Sequence, residues 1–392
     1  MPSPPPDTRK ILFLFSDTGG GHRSAAEAII EALHLEYGDS IRTEMVDIFK
    51  IAPVPLNRMP ELYPSMVRLP RVWGLGYHMS NGRRRVRLLM ASAWPYVRHA
   101  IRDLVSQHPS DIIVTLHPLA TGPVIRALGT PRPPIITVVT DLVSTHAFWY
   151  HPLTDLCLVP TENARLRALH YGLKPEIIQV TGLPVADRFC QPARSQLDLR
   201  SRYGWPADRR LVLLVGGSEG MGPIEKTALA IAEAGLPIAL IVIAGRNQGL
   251  KTRLEARKWP IPTFIYGFVR EMPDFMQAAD VLVTKAGPGT ISEALNAGLP
   301  MMLYSHLPGQ ESGNVSFITS EGAGIWAPQV SEMVAALRFW IDHPDELEQA
   351  RINCQRLARP QAARQIARIL VERVRGRYPK QAEHLERHHQ TD

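Results

Sequence analysis

The stretch Ile11–His22 reads I-L-F-L-F-S-D-T-G-G-G-H, an apolar run ending in three glycines and a histidine. With the following A-A-E-A-I-I-E-A-L it predicts strand, loop and a helix beginning near Ser24. Consecutive glycines let backbone approach a ligand without a Cβ in the way, and a helix N-terminus offers unpaired N–H groups and a positive dipole to an anion. Gly20 and Gly21 are thus candidates for contact with a nucleotide or a sugar. His22 titrates near neutral pH and is a candidate proton acceptor. The plainer reading of the same residues is a turn with a satisfied surface histidine.

Val281–Asn314 supplies a second such segment: V-L-V-T-K-A-G-P-G-T-I-S-E-A-L-N-A-G-L-P-M-M-L-Y-S-H-L-P-G-Q-E-S-G-N. Lys285, Ala286, Gly287, Pro288, Gly289 and Thr290 form a loop and helix start whose N–H groups and hydroxyl suit a diphosphate. The helix dipole would stabilise charge on a departing nucleoside diphosphate, so that no metal is needed in principle. Glu293, one turn further on, can accept both hydrogen bonds of a ribose diol. Gln310, Glu311 and Asn314 follow the next strand, where sugar hydroxyls could be bonded. Alternatively, Glu293 is a first-turn helix carboxylate and residues 310–314 a solvated loop.

Asp141, His146, Trp149 and His151 follow the fourth apolar run, and His117 follows the third. In a doubly wound sheet these ends line the ligand edge. Asp141 could orient His22 or act as base itself, while Trp149 and His151 serve equally well as buried packing.

Strand-like and helix-like segments alternate along the whole chain. Ile11–Phe15, Ile41–Val46, Ile112–Leu116, Ile135–Val139, Leu156–Val159 and Ile177–Val180 read as strands, with amphipathic stretches such as Ala25–Glu36 and Val97–Gln107 between them. The pattern lapses between Arg188 and Arg202, then restarts with Leu211–Val215, Ala239–Ile243, Thr263–Tyr266, Val281–Thr284 and Met301–Tyr304. This predicts an α/β protein of two doubly wound domains facing a central cleft, residues 10–190 and 191–378. Val330–Ile341 and Pro344–Glu372 read as helical, and residues 1–9 and 379–392 as flexible ends. A length of 392 residues, 45% hydrophobic and 21% charged, fits two globular cores.

The net charge of +7 is concentrated where Arg58, Arg68, Arg71, Arg83, Arg84, Arg85, Arg87, Arg98 and Arg102 face only Glu61. Met59–Tyr77 interleaves arginine with leucine, valine, Trp73 and tyrosine. Such a segment suits a membrane interface, with aromatics at headgroup depth and guanidiniums on lipid phosphates; a charged surface helix is the alternative. No run is long enough to span a bilayer, and Cys157, Cys190 and Cys354 lack disulfide or metal spacing. The start of the chain has no apolar signal core. A reduced protein on the cytoplasmic face of a membrane, held peripherally, is expected.

Ser16–Ile29, Val138–His151 (V-V-T-D-L-V-S-T-H-A-F-W-Y-H), Val180–Val185 (V-T-G-L-P-V), Gly267–Val269 (G-F-V), T-K-A-G-P-G-T-I-S-E-A-L and P-G-Q-E-S-G-N together resemble the monogalactosyldiacylglycerol synthase family. The resemblance runs in order from about Lys10 to Gly324. It implies the GT-B fold and inverting, UDP-sugar-dependent hexosyl transfer to diacylglycerol, with anionic lipids assisting and with neither a cofactor nor a nucleic-acid partner. It implies His22 as the favoured base and Glu293 on the uridine ribose, with Gly267, Phe268 and Val269 at the uracil. Phe268 is equally readable as core. Gly216, Gly217 and Ser218 are expected to open the second domain's first helix and face the diphosphate, although a plain turn would also use Gly217. Galactose is the favoured sugar and glucose the alternative. A UDP-N-acetylglucosamine 2-epimerase would have no use for the arginine-rich segment, and a non-catalytic sensor would have no use for His22.

Overall fold

The computed structural model describes residues 9–66, 69–217, 220 and 222–376. Arg68 and Ser218, and the ends assigned above as flexible apart from Arg9, lie outside the described residues. The chain forms two compact units.

The first unit holds β1 (Arg9–Phe15), β2 (Ile41–Asp47), β3 (Ile112–Thr115), β4 (Ile135–Val138), β5 (Leu156–Val159) and β6 (Ile178–Val180). All pair in parallel in the order β2-β1-β3-β4-β5-β6. Side-chain alternation sends Ile11, Phe13 and Phe15 to one face and Leu12 and Leu14 to the other, and each face is buried under helices. That is why β1 reads as an unbroken apolar run. Its chain order reverses between β1 and β3, so the loops after those strands diverge and leave room at the carboxyl edge.

The second unit holds β7 (Arg210–Val215), β8 (Ile238–Ile243), β9 (Thr263–Tyr266), β10 (Val281–Lys285), β11 (Met301–Ser305) and β12 (Gly324–Trp326). The parallel order β12-β11-β10-β7-β8-β9 is that of the dinucleotide-binding fold, with the switch point between β7 and β10. Val212, Leu214, Leu240, Val242, Val283 and Met302 form its buried centre.

Three sequence expectations need correction. The second unit spans Asp187–Pro360, not 191–378, because the chain returns to the first unit from Gln361. The expected helix Pro344–Glu372 is two helices, Pro344–Leu357 and Ala362–Val374, interrupted at Ala358–Gln361, where Pro360 disfavours helical backbone before it. The later helix places Ala363, Ile366, Ala367 and Leu370 against Ile29 and Leu33, and this apolar stripe draws it back. Third, the helix expected over Val97–Gln107 reaches back to Arg83, through Pro95, a residue that ordinarily ends or kinks a helix. The short β12 was not expected, and the helix containing His22 starts at Gly21 rather than near Ser24.

Leu370 is fully buried. Leu370→Ala should destabilise the first unit by about 2–5 kcal/mol, measured by urea unfolding, while leaving the second unit's transition in place.

Candidate functional site

In the first unit, the loop after β1 is shaped by its own polar side chains. Asp47 accepts from the Asp17 and Phe49 N–H groups at 3.2 and 2.9 Å, and Ser16 Oγ donates to Thr18 Oγ1 at 3.1 Å. Arg23 Nη2 donates to Asp17 Oδ2 at 2.7 Å while its guanidinium lies 4.6 Å from the Phe15 ring centre. Gly19 and Gly20 both have φ of +76°, which only glycine adopts readily. A Cβ on Gly19 would stand 3.0 Å from the Tyr63 ring, whereas Cβ atoms on Gly20 and Gly21 would meet nothing within 4 Å. The open side of Gly20–Gly21 is where a ligand can reach the backbone.

His22 lies in the first turn of helix Gly21–Tyr37, with Nδ1 2.7 Å from Thr140 Oγ1. Its ring meets His117 edge-on at 4.8 Å and Trp149 at 6.0 Å. Part of the side chain stays accessible, yet crowding by protein strips its hydration and lowers its pKa to about 4, against a raising contribution from the Leu116 backbone. The ring is therefore neutral at physiological pH, the form that can accept a proton. His117 is likewise held well below its ordinary value, by burial and then by His22. Its Nδ1 accepts from the Leu119 N–H at 3.3 Å.

Asp141 is buried, and its Oδ2 accepts from Trp149 Nε1 at 2.6 Å. The side chain seen bonded to His22 is thus Thr140, the neighbour of the expected Asp141. Trp149 and His146 do not present themselves to an acceptor. Trp149 is fully buried, and His146 is buried between Tyr77, Phe148 and Ser80, with its pKa lowered to about 4 by burial. His151 is also desolvated, and its Nδ1 accepts from the Leu153 N–H.

In the second unit, Gly217 (φ +76°) follows β7, and a Cβ there would lie 3.9 Å from Lys285 Cε, so the loops after β7 and β10 meet at the switch point. Lys285 Nζ is 3.1 Å from Glu311 Oε1, and Glu311 Oε2 accepts from the Leu307 N–H at 2.8 Å. Glu311 is only 3% exposed, and its carboxylate holds Lys285 and its own loop beside the expected sugar position. Asn314 Nδ2 donates to Ala286 O at 2.9 Å, while its buried Oδ1 has no hydrogen-bond partner among the described residues. Gln310 sits beside them in the same loop, half-buried.

Helix Pro288–Asn296 begins with proline, which has no N–H, and Ile291 N bonds Gly287 O. The Gly289 and Thr290 amides remain for a ligand, and a Cβ at Gly289 would meet nothing within 4 Å. Burial raises the Glu293 carboxyl to about 7, and Arg188 opposes the rise. Phe268, between Gly267 and Val269, is 53% exposed, which removes the core reading; the Arg246 guanidinium lies 4.8 Å over its ring. Arg246 and Thr140 were missed in the sequence. Both follow strands, and that position was their only signal. The helix expected to open at Gly216–Ser218 begins only at Ile224. A separate depression of about 650 Å³ runs along helix Ile224–Glu233, lined by Glu225, Asn247, Arg253 and Val330, and contains none of the expected site residues. Among the described residues no cluster of His, Cys, Asp and Glu is arranged to hold a metal.

The arginine-rich segment folds as helices Met59–Met66, Pro70–Ser80 and Arg83–Gln107. Leu69, Val72, Leu75 and Met79 are 60–66% exposed, and Leu88 is 71% exposed. Arg71 and Arg84 are exposed beside them. Trp73 packs edge-on against Tyr63 at 5.6 Å, so the apolar face consists of aliphatic side chains rather than the expected tryptophan. Arg85 Nη1 donates to the His78 and Asn81 carbonyls and closes the helix end, and the Arg83 guanidinium covers Gly172. Among the described residues no helix is long and apolar enough to cross a membrane.

Over 93% of its length the chain follows the fold of MurG from Acinetobacter baumannii, with TM-score 0.60 and 17% identity, covering 99% of that protein. It follows the S. aureus MnaA–UDP co-structure over 94% of its length, with TM-score 0.63 and 16% identity, covering 97% of that chain. Two Rossmann-type sheets of this topology, each with a glycine-rich loop at its switch point, define the fold class as GT-B. The Monogalactosyldiacylglycerol (MGDG) synthase family model matches residues 22–185, and the glycosyltransferase family 28 C-terminal domain matches residues 211–334. Monogalactosyldiacylglycerol synthase 2 of Arabidopsis thaliana is 36% identical, covering 95% of this chain and 82% of its own length. A probable monogalactosyldiacylglycerol synthase 2 of Oryza sativa subsp. indica is 37% identical, covering 90% and 78%. The chain belongs to the monogalactosyldiacylglycerol synthase family.

The raised Glu293 carboxyl gives a stability test. The folded chain binds this proton more tightly than the unfolded chain, so the stabilisation is complete below the ordinary carboxyl pKa of 4.5 and is lost as pH rises through about 7. Thermal melts should show Glu293→Gln gaining on the wild type across that interval, with a constant difference above it.

Proposed function

We propose that this enzyme transfers galactose from UDP-galactose to diacylglycerol at a membrane surface, with inversion to a β-linkage. The observation that carries the reading is His22, a neutral imidazole in the first turn of a helix that opens on an unobstructed glycine loop, in a chain whose relatives are named monogalactosyldiacylglycerol synthases.

In this reading the second unit holds the donor. Glu293 accepts from the ribose hydroxyls, Phe268 lies on the uracil, and the Gly289 and Thr290 amides with Lys285 take the diphosphate. Lys285 is kept in place by Glu311 and can neutralise charge as the nucleoside diphosphate leaves, so the reaction proceeds without a metal. The diacylglycerol hydroxyl gives its proton to His22 as its oxygen attacks the anomeric carbon from the side opposite the leaving UDP. One displacement of an α-linked donor gives the β-product. Asp141 acts as the buried acceptor that fixes the Trp149 indole near His22. The exposed aliphatic face of Pro70–Ser80, with Arg71 and Arg84, rests on anionic lipid, which makes the association peripheral.

UDP release in mixed micelles should depend on diacylglycerol, favour UDP-galactose over UDP-glucose and survive chelation. His22→Ala should lower kcat by about 10²–10⁴-fold with little change in donor KM. Release that is independent of lipid, or abolished by chelator, contradicts the proposal. Paired Val72→Glu and Leu75→Glu changes should reduce sedimentation with anionic vesicles while sparing donor binding measured by calorimetry.

A further inference from the structure

The loop between β4 and β5 carries Asp141 and Trp149, and its middle, residues 144–147, is bonded from outside at successive positions. Helix Pro70–Ser80 supplies most of these bonds from its C-terminal turn. The Tyr77 hydroxyl donates to Ser144 O, and Ser80 Oγ lies 3.1 Å from His146 Nε2. Asn81, which ends the helix, accepts on one atom, Oδ1, from the Ala147 N–H at 3.0 Å and from the Tyr171 hydroxyl at 2.9 Å. Arg85 secures Asn81 from the other side by donating to its carbonyl at 3.1 Å. Arg167 Nε donates to Thr145 O at 2.9 Å.

We propose that Asn81 is a positioning residue for the transfer reaction: its amide oxygen fixes the loop that holds Asp141 and Trp149 beneath His22. This deepens the reading of His22 as the base and rests on it.

The connection runs through short steps. Ala147, 3% exposed, opens the single turn Ala147–Trp149, and Trp149 N bonds His146 O at 3.1 Å. From that turn the Trp149 ring reaches 6.0 Å from His22 and its Nε1 reaches Asp141. Thr140, bonded to His22, is the residue before Asp141. Without the Asn81 oxygen, the buried Ala147 N–H and the Tyr171 hydroxyl would lose a shared acceptor, and the turn carrying Trp149 would lose its anchor. The helix that Asn81 closes exposes Val72, Leu75 and Met79 on turns that the Asn81 amide does not contact.

The test compares wild type, Asn81→Leu and Asn81→Asp. Leucine keeps the size and removes the acceptor; aspartate keeps the acceptor. With UDP-galactose and dioctanoylglycerol micelles, Asn81→Leu should lower kcat about tenfold or more, with donor KM and vesicle sedimentation unchanged, while Asn81→Asp should retain about half of wild-type kcat or better. Hydrogen exchange over residues 144–149 should quicken in the leucine variant alone. Should Asn81→Leu fail to fold, Tyr77→Phe, which removes only the bond to Ser144, should lower kcat several-fold by the same logic. Wild-type kcat in Asn81→Leu, or equal losses in the leucine and aspartate variants, overturns the inference while leaving the proposed function standing. A wild-type protein without lipid-dependent transfer overturns both.

Discussion

The bond between His22 Nδ1 and Thr140 Oγ1 joins the first helix to the residues that follow β4, across 118 positions of sequence. It forms only because β1, β3 and β4 pair in parallel and end at one edge, and because the helix after β1 starts within one residue of the glycine loop. The same edge brings His117 and Trp149 against the ring and removes its water. A histidine held this way stays neutral and keeps one orientation. The proposed reaction uses both, since a neutral ring has a lone pair for the hydroxyl proton and a fixed ring offers it at one geometry.

The second unit solves a different problem with the same topology. Its switch point must receive charge, and the fold supplies helix amides, a lysine and a buried carboxylate that restrains it. Glu311 at 3% exposure is paired with Lys285, and without that partner a carboxylate buried to this extent would be strongly disfavoured. Glu293, without so close a counter-charge, responds to burial by holding its proton, and a ribose diol donating to it would favour the ionised form.

Much of this was legible in the sequence because it depends on backbone. Parallel strands buried on both faces must be apolar runs, and a backbone that meets a ligand must be glycine, so β1, β7, β10 and the loops at Gly20 and Gly287 could be read directly. The side-chain partners could not. Thr140 looked like any strand-end threonine beside the more conspicuous Asp141, and Trp149 read equally as a ligand-edge residue or as packing, with nothing to show that its indole N–H donates to that aspartate. The exposed face of helix Pro70–Ser80 was legible as a mixture of arginine and apolar residues but not in detail. Arg85 was drawn off to close a helix and Trp73 to pack on Tyr63, leaving aliphatic residues outside. The return of helix Ala362–Val374 to the first unit escaped because its partner stripe, Ile29 and Leu33, lies more than three hundred residues earlier.

The central claim is that a hydroxyl activated at His22 displaces UDP in one step. Proton NMR of the glycolipid formed from UDP-α-galactose and diacylglycerol on vesicles tests it most directly. The account predicts a β-galactosyl linkage, with the signal absent in His22→Ala. An α-linked product, or free galactose with no lipid product, would contradict it.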